Sequence, residues 1–213
     1  MNRDFEIRQL LRAFRSGLMS EAAFEEEMTR LEHESGEPGQ LESPSFEAGG
    51  RVYRSEREAV LSFLDELHAT QMDSAIGFAK WAAVCRTKGL RTGLVIAAER
   101  EAYHARIIQR RVHELGGELR ATTTEQGKQM VEVLGNGAIS DLEKLSALAA
   151  VIQEPQQAVA PLLAFATALN RDIETKQALR LLAEDELSTA AWLRECGTAL
   201  SASQTAAMPH QPR

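Results

Sequence analysis

Between Leu94 and Leu115 the apolar residues return every three or four positions, and two members of that series are Glu101 and His104. At about 3.6 residues per turn, Leu94, Ala97, Ala98, Glu101, His104, Ala105, Ile108, Val112 and Leu115 share one helix face, while Glu99, Arg100, Arg106 and Arg110 fall outside it. The arrangement recurs near the C-terminus, where Leu179, Leu182, Ala183, Glu186, Thr189, Ala190, Leu193 and Gly197 share a stripe. Glu186 stands where Glu101 stood, and Thr189 where His104 stood. A chain with this pattern must bury two carboxylates between helices, and an ionised carboxylate taken out of water costs several kcal/mol unless something opposes its charge.

A divalent cation can supply that opposition. Glu-x-x-His on a helix aims a carboxylate oxygen and an imidazole nitrogen at one point, and facing helices can add further carboxylates. The segment Lys88-Gly89 marks the turn between two helices, so the residues opposite Glu101 and His104 lie around 66 to 75, where Glu66 and Asp73 qualify. Glu66 sits on the shoulder of the stripe Val60, Phe63, Leu64, Leu67 and Phe78, and Asp73 is expected to be exposed or to support a ligand. A second turn at Asn170-Arg171-Asp172 sets Glu154 opposite Glu186. Pro155 loosens the register there, so Glu143 is the alternative.

Helix punctuation gives the rest of the plan. Ser55-Glu56-Arg57-Glu58 has capping-box spacing and opens a helix to about residue 86. A second helix covers about 92 to 115 and ends at Gly116-Gly117. A short one follows at 125 to 134, and Ser140 caps a segment that breaks near 152 to 161 and reaches Leu169. The last helix spans about 172 to 196. Upstream, Ser16-Gly17 and Ser20 divide two short amphipathic segments, with Gly17 as a helix stop and Ser20 as an N-cap. The expected organisation is an N-terminal helical hairpin (1–32), a flexible Gly, Ser, Pro and Glu-rich linker (33–53), a four-helix domain (54–199) and a disordered tail (200–213).

Composition agrees with an all-α chain: aromatic residues are only 5% against 44% hydrophobic content, so β-favouring residues are scarce. A net charge of -7 argues against a nucleic-acid surface and favours cationic partners. The sequence opens on no apolar signal region and carries no run of membrane-spanning length, so a cytoplasmic protein without a membrane partner is expected. Cys85 and Cys196 lie far apart, with no Cys-x-x-Cys, which excludes a thiolate zinc site of that kind.

The order Glu66, Glu101-x-x-His104, Glu154, Glu186-x-x-Thr189, with the segments EREAYHARI and LAEDELSTAAWL, resembles the ferritin-like diiron carboxylate superfamily, of the rubrerythrin and bacterioferritin kind. The resemblance covers roughly residues 55 to 197 and implies a ferritin-like four-helix bundle. It further implies iron, one or two ions per chain, or manganese, held by Glu66, Glu101, His104, Glu154 and Glu186. Oxygen or peroxide would be the reaction partner and a homo-oligomer the assembly. Thr189 departs from the pattern, since a second His is expected there. The alternative is a helical scaffold that keeps the fold without the metal. GLMSEAAFEEEMTRL is similar to the short helix-turn-helix (SHOCT-like) modules found at the ends of bacterial proteins, which implies a role in self-association.

Overall fold

The computed structural model describes residues 3–16, 19–33, 45–151 and 154–207, and divides into two units, Met1–Glu42 and Ser43–Arg213. The described residues form eight α-helices and one two-stranded ribbon, an all-α architecture as expected from the sequence.

The smaller unit holds α1 (Arg3–Arg15) and α2 (Glu21–His33). Phe14 stacks on Phe24 with ring centroids 4.8 Å apart, which joins the two helices. The Ser20 hydroxyl accepts the N–H of Ala23 at 3.3 Å and caps α2 as anticipated. Gly17, the expected stop, lies outside the described residues, as do 34–44 of the expected linker and 208–213 of the expected tail.

The larger unit begins with a feature the linker expectation missed. β1 (Phe46–Ala48) and β2 (Arg51–Tyr53) pair antiparallel, with Phe46 opposite Tyr53. The reversal rests on Gly49 and Gly50, at φ of 59° and 72°, the pair of left-handed conformations that a tight hairpin turn requires. Ala48 is buried, so the ribbon packs onto the helices.

The helices follow as α3 (Glu56–Val84), α4 (Lys88–Glu114), α5 (Glu125–Gly135), α6 (Asp141–Val151), α7 (Pro155–Ala168) and α8 (Ile173–Ala207). Ser55 Oγ accepts from Glu58 N at 3.2 Å, which explains why α3 starts there. Helix α4 starts earlier than its sequence signal because only Cys85–Thr87 is needed to reverse the chain. The buried carboxylate of Asp141 makes so short a reversal stable: it accepts from Arg86 N at 3.1 Å, Thr87 N at 3.0 Å, Thr87 Oγ1 at 2.8 Å and Trp81 Nε1 at 2.9 Å. Burial alone would raise this carboxyl's pKa, but the bonds from Trp81, Thr87 and Arg86 prevail and hold it below the usual range. The interruption expected near 152 to 161 separates two helices, α6 ending at Val151 and α7 starting at Pro155, its first residue. Helix α8 runs past the expected end, through Ala207.

Two polar links set the helices against each other. Glu56, at the start of α3, accepts the backbone N–H groups of Arg171 and Asp172, both at 2.8 Å, in the α7–α8 turn. Arg111, in the last turn of α4, donates to Asp172 at 2.7 Å and to Thr175 Oγ1 at 2.9 Å. The end of α4 is thereby tied to the start of α8, so the two run antiparallel. Phe63 of α3 stacks on Phe165 of α7 at 4.0 Å between centroids. At the other end, Phe78, Trp81, Leu90, Leu94, Leu134, Leu145 and Leu193 form a continuous apolar cluster. Among the described residues no helix is long and apolar enough to cross a membrane.

Gly93 of α4 lies under the Trp192 ring, and a Cβ there would stand 2.1 Å from Trp192 Cζ2. Gly93→Ala is therefore expected to destabilise the larger unit by about 1–3 kcal/mol through overpacking. The urea midpoint measures this, and Trp192→Leu in the same chain should recover most of the loss.

Candidate metal centre

The stripe on α4 is buried as its period requires. Glu101 and His104 are each 1% exposed, and Leu94, Ala97, Ala98, Ala105, Ile108 and Val112 are buried around them. No hydrogen-bond partner reaches either carboxylate oxygen of Glu101. A buried polar group without a partner is rare enough in folded proteins to need a reason.

The α4–α8 link brings the facing residues into place. His104 Nδ1 lies 3.9 Å from Glu101 Oε2 and 3.6 Å from Glu186 Oε1. One ligand atom each from Glu101, His104 and Glu186 can be chosen so that all lie within 4.8 Å of one another. The other ring nitrogen, Nε2, is 3.1 Å from Asp185 Oδ2. With Nε2–H donating to Asp185, Nδ1 faces Gln71 Oε1 and the two glutamates, and once Nδ1 gives up its proton the ring has the orientation that a metal-ligating histidine takes from a supporting carboxylate.

Two residues that the sequence reading passed over complete the surroundings. Gln71 of α3 is buried; its amide nitrogen donates to Glu186 Oε1 at 2.8 Å and its Oε1 is 3.3 Å from His104 Nδ1. It falls within the range expected to oppose Glu101 and His104, but a search for charged ligands does not pick out an amide. Arg100, assigned to the outer face, reaches across to α8: its Nη1 donates to Thr189 Oγ1 at 3.0 Å and to the Asp185 carbonyl at 3.2 Å. Thr189 points inward, buried, as its stripe position requires.

The other expected ligands lie elsewhere. Glu66 is 57% exposed and accepts from Arg51 Nη1 at 2.6 Å, because α3 turns Leu64, Leu67 and Gln71 inward and leaves Glu66 outside. Glu154 is 54% exposed and paired with Arg194. The proline that follows it disfavours helical backbone, so Glu154 sits at φ -127°, ψ 139° as the N-cap of α7 and accepts within its own first turn. Glu143, the alternative, is engaged by Ser140 N at 2.8 Å and Ser140 Oγ at 2.6 Å. Asp73 accepts from Thr123 Oγ1 at 2.8 Å, which fastens the connection before α5 to α3. The buried residues of α7 are Pro155, Val159, Leu162, Phe165 and Ala166, none of which is a metal ligand.

No family model, curated protein or solved structure matches this chain. The chemistry of the site is therefore carried by its own geometry.

That geometry perturbs all three groups. Burial first, then the charge of Glu186, push the Glu101 carboxyl up to about 9. For His104 burial acts downward, but hydrogen bonds and charge from Glu186 and Asp185 outweigh it and raise the imidazole. For Glu186 burial acts upward, and the bonds from His104 and Gln71 overcome it and hold the carboxyl low. A proton held on Glu101 thus relieves the repulsion between its carboxyl and that of Glu186. Two oxygen donors and an imidazole around one point suit a divalent metal ion, and the unpartnered oxygens of Glu101 are what such an ion would satisfy.

A pH dependence follows. Groups whose pKa is raised in the folded state stabilise it fully below their unfolded pKa and lose that contribution as pH rises through the folded value. For Glu101 the window runs from its ordinary value of 4.5 to about 9, and the raised His104 acts in the same direction. With chelator present, the urea midpoint is expected to fall steadily from pH 6 to pH 9, and Glu101→Gln should flatten that slope. Equal slopes in the two proteins would remove Glu101 as the titrating group.

Proposed function

We propose that the larger unit is a ferritin-like four-helix bundle, formed by α3, α4, α7 and α8, that binds iron, or manganese, through Glu101, His104 and Glu186. The observation that carries this reading is the fully buried Glu101 carboxylate, without a hydrogen bond, beside His104 and Glu186. Two antiparallel hairpins, one holding the Glu-x-x-His of α4 and the other Glu186, support the bundle assignment. Ferrous iron bound there would supply electrons to oxygen or peroxide.

The chain's own part is to prepare the position. Asp185 holds the His104 ring with Nδ1 inward. Gln71 fixes Glu186 through its amide N–H, which keeps one carboxylate oxygen directed at the other ligands. Entry of a cation requires Glu101 and His104 to give up their protons, so affinity should rise with pH. Leu94, Ala97, Ala98 and Ile108 surround the pair on α4 and keep bulk water from it.

One observation favours a competing reading. Gln71 stands where a carboxylate would be expected from α3, and Thr189 is occupied by Arg100, so part of a dinuclear ligand set is absent. A helical scaffold without metal would tolerate both changes. Anaerobic titration with ferrous iron, followed by admission of oxygen, separates the two. The proposal expects stoichiometric binding and a ferric absorbance that develops on oxidation. Glu101→Ala and His104→Ala should each lower affinity at least tenfold while circular dichroism stays helical, because removing a buried polar group also removes the cost of burying it. Full binding in both variants would refute the site, and absence of binding in the natural protein would favour the scaffold.

A further inference from the structure

Arg100, the residue adjacent to Glu101, sends its guanidinium across to α8 beside the Glu101, His104 and Glu186 group, and its charge acts on the Glu101 carboxyl. Its Nη1 bridges the Thr189 hydroxyl and the Asp185 carbonyl on α8. Thr189 occupies the stripe position on α8 that corresponds to His104 on α4, so the guanidinium lies where an imidazole at that position would otherwise stand. No ligand comes from α7 on that side, where the buried side chains are apolar.

Resting on the metal-binding reading above, we infer that this is a mononuclear centre and that Arg100 sets the metal count by taking the place of a second cation. The charges agree with that assignment. Glu101, Glu186 and Asp185 carry three negative charges when ionised, whereas Gln71 and Thr189 are neutral and His104 is neutral as a ligand. One divalent ion together with Arg100 brings the group to neutrality. Two divalent ions beside the guanidinium would leave an excess of two positive charges in a largely buried site, which desolvation strongly opposes. A repelling charge is also harder to evade here because Arg100 is hydrogen-bonded in place, and the Thr189 oxygen already accepts from it. Metal coordination at Thr189 would have to displace that bond.

Manganese(II) is a suitable probe, because one isolated ion and a coupled pair give different electron paramagnetic resonance spectra. The natural protein is expected to bind one ion per chain, with the six-line signal of an isolated ion. Arg100→Lys keeps the charge and should stay at one. Thr189→His supplies an imidazole but leaves the guanidinium, and should also stay at one. Arg100→Glu replaces the cation by a carboxylate, balances a second divalent ion, and should bind two with a coupled spectrum.

Circular dichroism checks the fold of each variant. Should Arg100→Glu not fold, Arg100→Gln carries the test, with second-ion affinity at least tenfold above that of the natural chain. Two tightly bound ions in the natural protein, or in Thr189→His alone, would overturn the role of Arg100. So would an Arg100→Glu protein that folds and still takes one ion, or an Arg100→Gln protein with no gain. If the natural chain binds no manganese or iron, it is the metal-binding reading itself that fails.

Discussion

The larger unit is organised around a carboxyl group that the protein buries and does not hydrogen-bond. Every other polar contact near it directs charge toward Glu101 or away from it. Glu186 and Asp185 approach from α8, His104 stands one turn along α4, and Arg100 draws the balance back by its positive charge. A group of this kind is strongly unfavourable in isolation, since losing water without gaining a partner costs several kcal/mol. It persists only in a scaffold stable enough to hold it. The contacts that supply that stability lie at the two ends of the helices: Asp141 at the α3–α4 turn, and Glu56 with Arg111 and Asp172 at the opposite end. They set the axial register of α4 against α8, and the register decides whether His104 meets Asp185 and Glu186 or misses them by a turn.

Much of this was legible in the amino-acid sequence, and the reasons are uneven. A helical period is a strong signal when it repeats over six turns, so the inward faces of α4 and α8 could be drawn before any coordinates existed. Glu101, His104, Glu186 and Thr189 all lie where that period puts them. The partner on α3 was harder. Folding a hairpin about its turn gives a range of ten residues, and the preference for charged ligands picked Glu66 and overlooked Gln71 within the same range. Glu154 went astray for a local reason, because Pro155 turned its backbone out of the helix and made a cap of it. Arg100 could not have been found from helix periodicity, since a long side chain can leave its own face and reach a neighbouring helix.

The ribbon before α3 shows the same limit from the other side. Its residues read as linker by composition, and two consecutive glycines are common in linkers. The structure uses them for a turn, with β1 and β2 as short strands beside it. Composition reports how often a residue type is found in a setting. Backbone conformation is decided by what the neighbours can pack against, and here Ala48 has a buried place to occupy.

Asp185 has a consequence that concerns time rather than affinity. Its side chain is 42% exposed, while the imidazole it holds is 1% exposed. A centre sealed on all sides would trap any proton released within it, and exchange would wait for a helix to separate. Through Nε2 of His104 and the carboxylate of Asp185, the interior has a hydrogen-bonded conduit to bulk solvent only one residue long. The buried imidazole is thereby one hydrogen bond away from a side chain that water reaches.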